Sequence, residues 1–187
     1  MIEVEVKVHL DDPKHVERRI ISLGAVPTAI ENQADTYYNM PWRDFSETDE
    51  ALRIRVQDGE AFLTYKGPKM DLISKTRKEI QVKILDENDM GEILTSLGFF
   101  PVATVTKKRK NYRLGEIIIA LDEVRELGNF MEMEISVKKS MNYEEKVERL
   151  FKFIEKLGIE RGSTIRKSYL EMILEKNNTL NCSPMTE

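Results

Sequence analysis

Glu3, Glu5 and Lys7 open the chain on alternate positions, separated by Val4 and Val6. In a β-strand that spacing places both carboxylates and the ammonium on one face, with Ile2, Val4, Val6 and Val8 on the other. Carboxylates two residues apart on a strand stand about 7 Å apart and can share a hard cation. Basic residues show the same alternation further on. Arg53 and Arg55 oppose Leu52, Ile54 and Val56, and a hairpin turn at Asp58-Gly59 brings Lys66 onto their face. Arg77, Glu79 and Gln81 alternate with Ile80 and Val82, preceded by Lys75 in the same phase. Lys107 and Arg109 share a face, although Lys108 and Lys110 put charge on the other. Glu132 and Glu134 alternate with Met131, Met133 and Ile135, and Asp122 follows the apolar run Ile117 to Leu121.

Like charges clustered on one face repel, and a bound polyanion removes that cost. Two arrangements fit the alternation. Either the charged faces meet solvent, or they line the interior of a barrel whose apolar outer face lies under helices. In the second case Glu3, Glu5, Asp122, Glu132 and Glu134 share a lumen with the basic set. Divalent metal then neutralises the acids, and a polyphosphate the cations.

The elements that must position these residues are short strands and three amphipathic helices. The helices carry apolar stripes at Val16-Ile20-Leu23, Met90-Ile93-Leu94-Leu97 and Val147-Leu150-Phe151-Ile154, and each ends in Leu-Gly. Asp12-Pro13 caps the first helix, and Asn142 with Glu145 reads as a capping box for the third. A shift of 74 residues lays Glu5 on Glu79, Asp12 on Asp86, Leu23-Gly24 on Leu97-Gly98 and Pro27 on Pro101, which reads as a repeated strand–helix–strand unit. Strands are expected at 34–39, 51–57, 60–66, 75–84, 102–113, 116–124, 130–137 and 164–171, with loops at 40–50 and 67–74. Mostly hairpin connections imply an α+β, mainly antiparallel fold: an eight-stranded closed β-barrel with helices packed outside. Residues 1–172 form one domain, and 173–187 are expected to be a disordered tail.

The 187-residue chain is 33% charged with a net charge of -4, which disfavours nucleic-acid binding. It has no apolar run long enough for a membrane and no signal peptide; with one cysteine, Cys182, a cytoplasmic location is expected. Two histidines, His9 and His15, beside that cysteine make zinc a poor fit.

The sequence resembles the CYTH family of triphosphate-tunnel enzymes, which includes class IV adenylyl cyclases and thiamine triphosphatases. The resemblance rests on Glu3-Val4-Glu5-Val6-Lys7, Gln33 to Tyr38, Leu52-Arg53-Ile54-Arg55, Thr64-Tyr65-Lys66-Gly67, Arg77-Lys78-Glu79, Lys107-Lys108-Arg109, Leu121 to Val124 and Leu127 to Glu134. It implies a hydrophilic tunnel holding a triphosphate and Mg²⁺ or Mn²⁺. Glu3, Glu5, Asp122, Glu132 and Glu134 would ligate metal. Lys7, Arg53, Arg55, Lys66, Arg77, Lys107 and Arg109 would grip phosphate, with Glu3, Glu5, Lys7 and Glu134 catalytic. Glu79 would orient arginines or join the metal network, and Lys167 is a further candidate. The closest texture is the class IV adenylyl cyclase branch, so the expected reaction is ATP to cyclic AMP and pyrophosphate. The alternatives are hydrolysis of inorganic triphosphate, thiamine triphosphate or a nucleoside triphosphate, and a non-catalytic triphosphate- or polyphosphate-binding module. Tyr37, Tyr65, Trp42, Phe45 and Phe62 are the aromatics available for an organic group, and a homodimer follows from the resemblance. The sequence names no general base.

Overall fold

The computed structural model describes residues 2–69, 77–137 and 143–181. Eight antiparallel strands form one sheet: β1 (Ile2–His9), β2 (Val26–Asn39), β3 (Ala51–Gln57), β4 (Glu60–Lys69), β5 (Arg77–Ile84), β6 (Phe100–Leu114), β7 (Ile117–Val124) and β8 (Gly128–Val137). Four α-helices accompany them: α1 (Pro13–Ser22), α2 (Glu87–Ser96), α3 (Tyr143–Lys156) and α4 (Tyr169–Asn181). None of the described helices is long and apolar enough to cross a membrane.

The hydrogen-bonded order is β1-β8-β7-β6-β2-β3-β4-β5. It leaves β1 and β5 as edges, so the β1–β5 pairing that would close the expected barrel is not among the described contacts. The free edge of β1 is instead covered by the segment before α4, where Val8 bridges Thr164 and the Ile165 amide donates to the Lys7 carbonyl at 2.8 Å.

The 74-residue repeat is a structural one. The units β1-α1-β2-β3-β4 and β5-α2-β6-β7-β8 exchange places about the central β2–β6 pair in the strand order. Asp12 and Asp86 both cap their helices, accepting from the His15 amide at 2.9 Å and from the Asn88 and Asp89 amides at 2.7 and 3.0 Å. At the far ends Gly24 and Gly98 take φ of +95° and +92°, and the amides of Ala25 and Phe99 reach back to Ile20 and Leu94. These are two copies of one Schellman stop, which a residue with a Cβ would strain.

Strand alternation decides the layers. Val4, Val6 and Val8 face outward and pack with Ile119, Met131, Met133 and Ile135 against Val16 and Ile20 of α1 and Leu150 and Ile154 of α3. Each such fully buried side chain contributes about 1.5–3 kcal/mol by leaving water. Leu52 and Ile54 of β3 form a smaller core with Leu94 of α2. The opposite face of the sheet is concave and carries the charges.

Two expectations need correction. Residues 164–171 do not form a strand: 161–163 is a 3₁₀ turn, and α4 runs from Tyr169 to Asn181, across the expected start of the tail at 173. Nor are all helices outside. Tyr169 and Ile173 of α4 are buried with Val105, Val124 and Phe130 against the concave face, because the phase of β6, β7 and β8 turns those three apolar residues inward beside the charges.

Candidate active site

The concave face encloses a cavity of about 590 Å³ to which every strand and α4 contribute side chains. Lys7, Arg53, Arg55, Lys66, Lys107 and Arg109 are brought together there, as the alternation of their strands requires. Glu5, Glu79, Glu132 and Glu134 line the same cavity. The side chains of Glu3 and Arg77 lie outside the described residues, as does Lys75; the backbones of Glu3 and Arg77 stand at the starts of β1 and β5.

The acids and cations are paired in two groups. On β2, Asp35 receives Arg55 bidentately, with Nε–Oδ1 at 2.6 Å and NH2–Oδ2 at 2.7 Å, and Arg53 at 3.3 Å. Burial alone would raise the Asp35 carboxyl, but the Arg55 hydrogen bonds and the charges of Arg53 and Arg55 hold it below its ordinary value. On the facing half, Arg109 grips Asp122 through Nε–Oδ1 at 2.7 Å and NH2–Oδ2 at 2.5 Å, and also reaches Glu132. Lys7 lies 3.2 Å from Glu132 Oε1. Burial pushes the Glu132 carboxyl up, yet Arg109, Lys7 and Lys107 outweigh it and lower it. Lys66 pairs with Glu79 at 2.9 Å across β4 and β5.

One buried donor is unmatched, and one buried cation lacks a carboxylate partner. Arg53 Nε has no hydrogen-bond partner among the described residues. Lys107, 7% exposed, makes no ion pair with a described carboxylate, and its Nζ sits 5.1 Å from the Tyr169 ring. Burial, then the charge of Arg109, drives its ammonium down to about 8. A buried donor without a partner costs about 1–3 kcal/mol, and more if charged.

Divalent metal is tested by the donor set. Glu5 on β1 and Glu134 on β8 are direct cross-strand partners, and both line the cavity. Opposed carboxylates repel in an ordinary sheet, and their oxygens suit a hard cation. Among the described residues no three acids converge as a preformed cage. Asp122 differs from the other acids: its side chain is fully buried, and its oxygens face Arg109 and the Tyr169 hydroxyl, which donates at 2.8 Å.

Lys167 points away and pairs with Glu175, but its carbonyl accepts from Lys7 Nζ at 3.0 Å. Of the aromatics, Tyr37 and Phe45 line the cavity, whereas Trp42 is 72% exposed with its ring against Gly98. Tyr65 turns its hydroxyl to Glu50 in the 40–50 loop, which also binds Thr48 and Arg43 at 2.6 and 2.7 Å. Three contributors were not read as site residues. Asp35 had a signal, since it is the acid in phase with Gln33 and Tyr37 on a strand facing Arg53 and Arg55. Tyr169 and Glu50 had none, because packing and loop conformation place them.

The fold and the site together are a curved antiparallel sheet whose concave face is lined by paired arginines, lysines and glutamates. The CYTH domain model matches residues 1–169, and the chain belongs to that family. It is 45% identical over 172 residues to the "Putative adenylate cyclase MJ0240" of Methanocaldococcus jannaschii, covering 92% of this chain and 98% of that one. It is 25% identical over 182 residues to the adenylate cyclase CyaB of Aeromonas hydrophila, covering 96% and 92%. Among solved structures, the PH1819 protein of Pyrococcus horikoshii superposes with a TM-score of 0.81 at 44% identity, covering 93% of this chain and 99% of that one.

Proposed function

We propose that this protein is a divalent-metal-dependent enzyme that acts on a triphosphate, in the manner of a class IV adenylyl cyclase converting ATP to cyclic AMP and pyrophosphate. The observation that carries the reading is the convergence of Lys7, Arg53, Arg55, Lys66, Lys107 and Arg109 on one cavity, where Lys107 makes no ion pair with a described carboxylate. An anion with many oxygens meets several of these cations at once. In this reading the sheet closes into a tunnel around the bound phosphates, with Arg77 joining the grip from β5.

Asp35 and Asp122 hold Arg55 and Arg109 by both arms, so the remaining guanidinium donors are aimed before substrate arrives. Glu5 and Glu134, with Glu3 as the acid in the same sequence phase, would hold Mg²⁺ or Mn²⁺. The metal would supply charge stabilisation on the phosphate oxygens. We assign Asp122 to orienting Arg109 and not to the metal, since Arg109 and Tyr169 occupy its oxygens. Glu132, held by Lys7 and Arg109, sets the spacing of those two cations beside the acid pair.

The cyclase reading needs room beyond the phosphates. Ile118, 37% exposed, lies opposite Glu134 on the cavity wall, and Tyr37, Phe45, Val102 and Leu174 line the same space. This apolar lining supports a substrate with an organic group. The 3′-hydroxyl of ATP would attack the α-phosphorus, and pyrophosphate would leave toward the Arg/Lys walls. Hydrolysis of inorganic or thiamine triphosphate uses the same cations and is the alternative.

Purified protein incubated with Mg²⁺ or Mn²⁺ and, separately, ATP, inorganic triphosphate and thiamine triphosphate tests the reading. Cyclic AMP with pyrophosphate establishes the cyclase. Orthophosphate without cyclic AMP establishes a triphosphatase. Binding without any product under either metal leaves a binding module and overturns the enzyme.

A further inference from the structure

Tyr169 is the first residue of α4 and belongs to no strand, yet it touches three members of the charged cavity. Its ring lies 4.1 Å from Lys7 Nζ and 5.1 Å from Lys107 Nζ. Its hydroxyl donates to Asp122 Oδ2 at 2.8 Å, the oxygen that also binds Arg109 NH2. We propose that Tyr169 is a positioning residue of the triphosphate site: its ring is a platform for the two lysines, and its hydroxyl fixes Asp122 and thereby the aim of Arg109. The proposal rests on the triphosphate reading above and adds to it a part for α4.

The placement is built by independent contacts. The Thr164–Val8 bridge and the Ile165 amide dock the approach segment on β1, and Lys7 Nζ bonds the Lys167 carbonyl at 3.0 Å. Ser168 and Glu171 then cap α4 reciprocally, at 2.6 Å from the Ser168 amide and 3.2 Å from the Glu171 amide. Ile173 anchors the next turn in the apolar end of the concave face, and Phe130 meets the Tyr169 ring edge-on at 5.1 Å.

The arrangement suits two lysines that would otherwise collapse onto carboxylates. A ring face attracts an ammonium without neutralising it or filling its donor sites. Lys107 therefore stays aimed at the cavity with its donors unspent, and Lys7 keeps capacity beyond Glu132 and the Lys167 carbonyl. The hydroxyl takes a lone pair of Asp122 that Arg109 does not, which leaves the buried carboxylate satisfied in one orientation.

Two variants of the full chain separate ring from hydroxyl. Binding of inorganic triphosphate with Mg²⁺ is read by calorimetry, turnover on whichever triphosphate wild type consumes, and side-chain geometry by NMR of the lysine ε-CH₂ and Arg109 Nε resonances. Tyr169→Leu is expected to abolish the ring-current shifts of Lys7 and Lys107 and to weaken triphosphate binding about tenfold, the effect of about 1.4 kcal/mol. Tyr169→Phe is expected to keep those shifts, hold affinity within about threefold, move the Arg109 Nε resonance and lower kcat about tenfold. A folded leucine variant with wild-type affinity overturns the platform. A phenylalanine variant with wild-type kcat and an unmoved Arg109 resonance overturns the hydroxyl's part, and this variant carries the test if leucine does not fold. A wild type that neither binds nor consumes any of the three triphosphates overturns the functional reading itself. That failure is seen on the unsubstituted protein and is distinct from a failure confined to the variants.

Discussion

Asp35 on β2 and Arg109 on β6 occupy the same place in the two halves of the chain, 74 residues apart, with opposite charge. Each lies on its repeat's strand in the central β2–β6 pair of the sheet, and each is matched across to the next strand: Asp35 opposite Arg55, Arg109 opposite Asp122. The repeat thus preserves a bidentate arginine–carboxylate pair while exchanging which strand bears which sign. Because the arginines come from different strands, guanidinium groups from β3 and β6 line one cavity.

The Asp35 pair also matters for stability. Removing the partner of a buried cation strands its charge, which costs about 3–5 kcal/mol. Asp35→Asn is therefore expected to lower unfolding free energy by about 3 kcal/mol in denaturant titration. In wild type the folded carboxyl lies below its ordinary value. Its contribution is thus fully present above the unfolded carboxyl's value and is lost as pH falls through the folded one. The variant should show less acid sensitivity than wild type below pH about 4.

Glu5→Gln removes one of the two opposed carboxylates without changing shape. Inorganic triphosphate affinity measured without metal should hold or rise, since one like charge is gone from the wall. The kcat with Mg²⁺ should fall about a hundredfold or more, as expected when charge stabilisation at phosphate is lost. A variant with full turnover would remove Glu5 from the metal set.

Lys107 carries its charge below pH about 8 and loses it above. Affinity for inorganic triphosphate should accordingly weaken as pH rises through that region, and more steeply than in Lys107→Met. For the unbound protein the sign reverses: the unfolded lysine keeps its proton to higher pH, so this group's penalty on stability shrinks as pH rises above about 8. Lys107→Met should therefore match or exceed wild type in melting temperature at pH 7 while binding triphosphate less well. Paired melting and calorimetry curves check both signs.

Ile118 separates readings of the substrate. Its side chain is exposed within the cavity wall, so Ile118→Ala costs little in folding. If an organic group packs there, KM for ATP rises about three- to tenfold while KM for inorganic triphosphate is unchanged. Equal KM values for both substrates, before and after substitution, would show that nothing beyond the phosphates is read.

Period-two alternation by itself determined which side chains share a face, because a strand has only two. Glu5, Lys7, Arg53, Arg55, Glu132 and Glu134 were legible on that ground alone, as were the outward Val4, Val6 and Val8. The turn and cap chemistry of Asp58-Gly59, Asp12, Asp86, Gly24 and Gly98 fixed local geometry for the same reason: these are backbone effects within a few residues. What alternation cannot say is which face is concave, which strands are neighbours, or which cation meets which acid. Those depend on long-range pairing and sheet curvature. Only the tertiary structure made Asp122 the buried partner of Arg109, and left β1 and β5 as edges. It alone carried Tyr169 into the cavity, since a helix that docks on a surface made by distant strands leaves no periodic mark of where it docks.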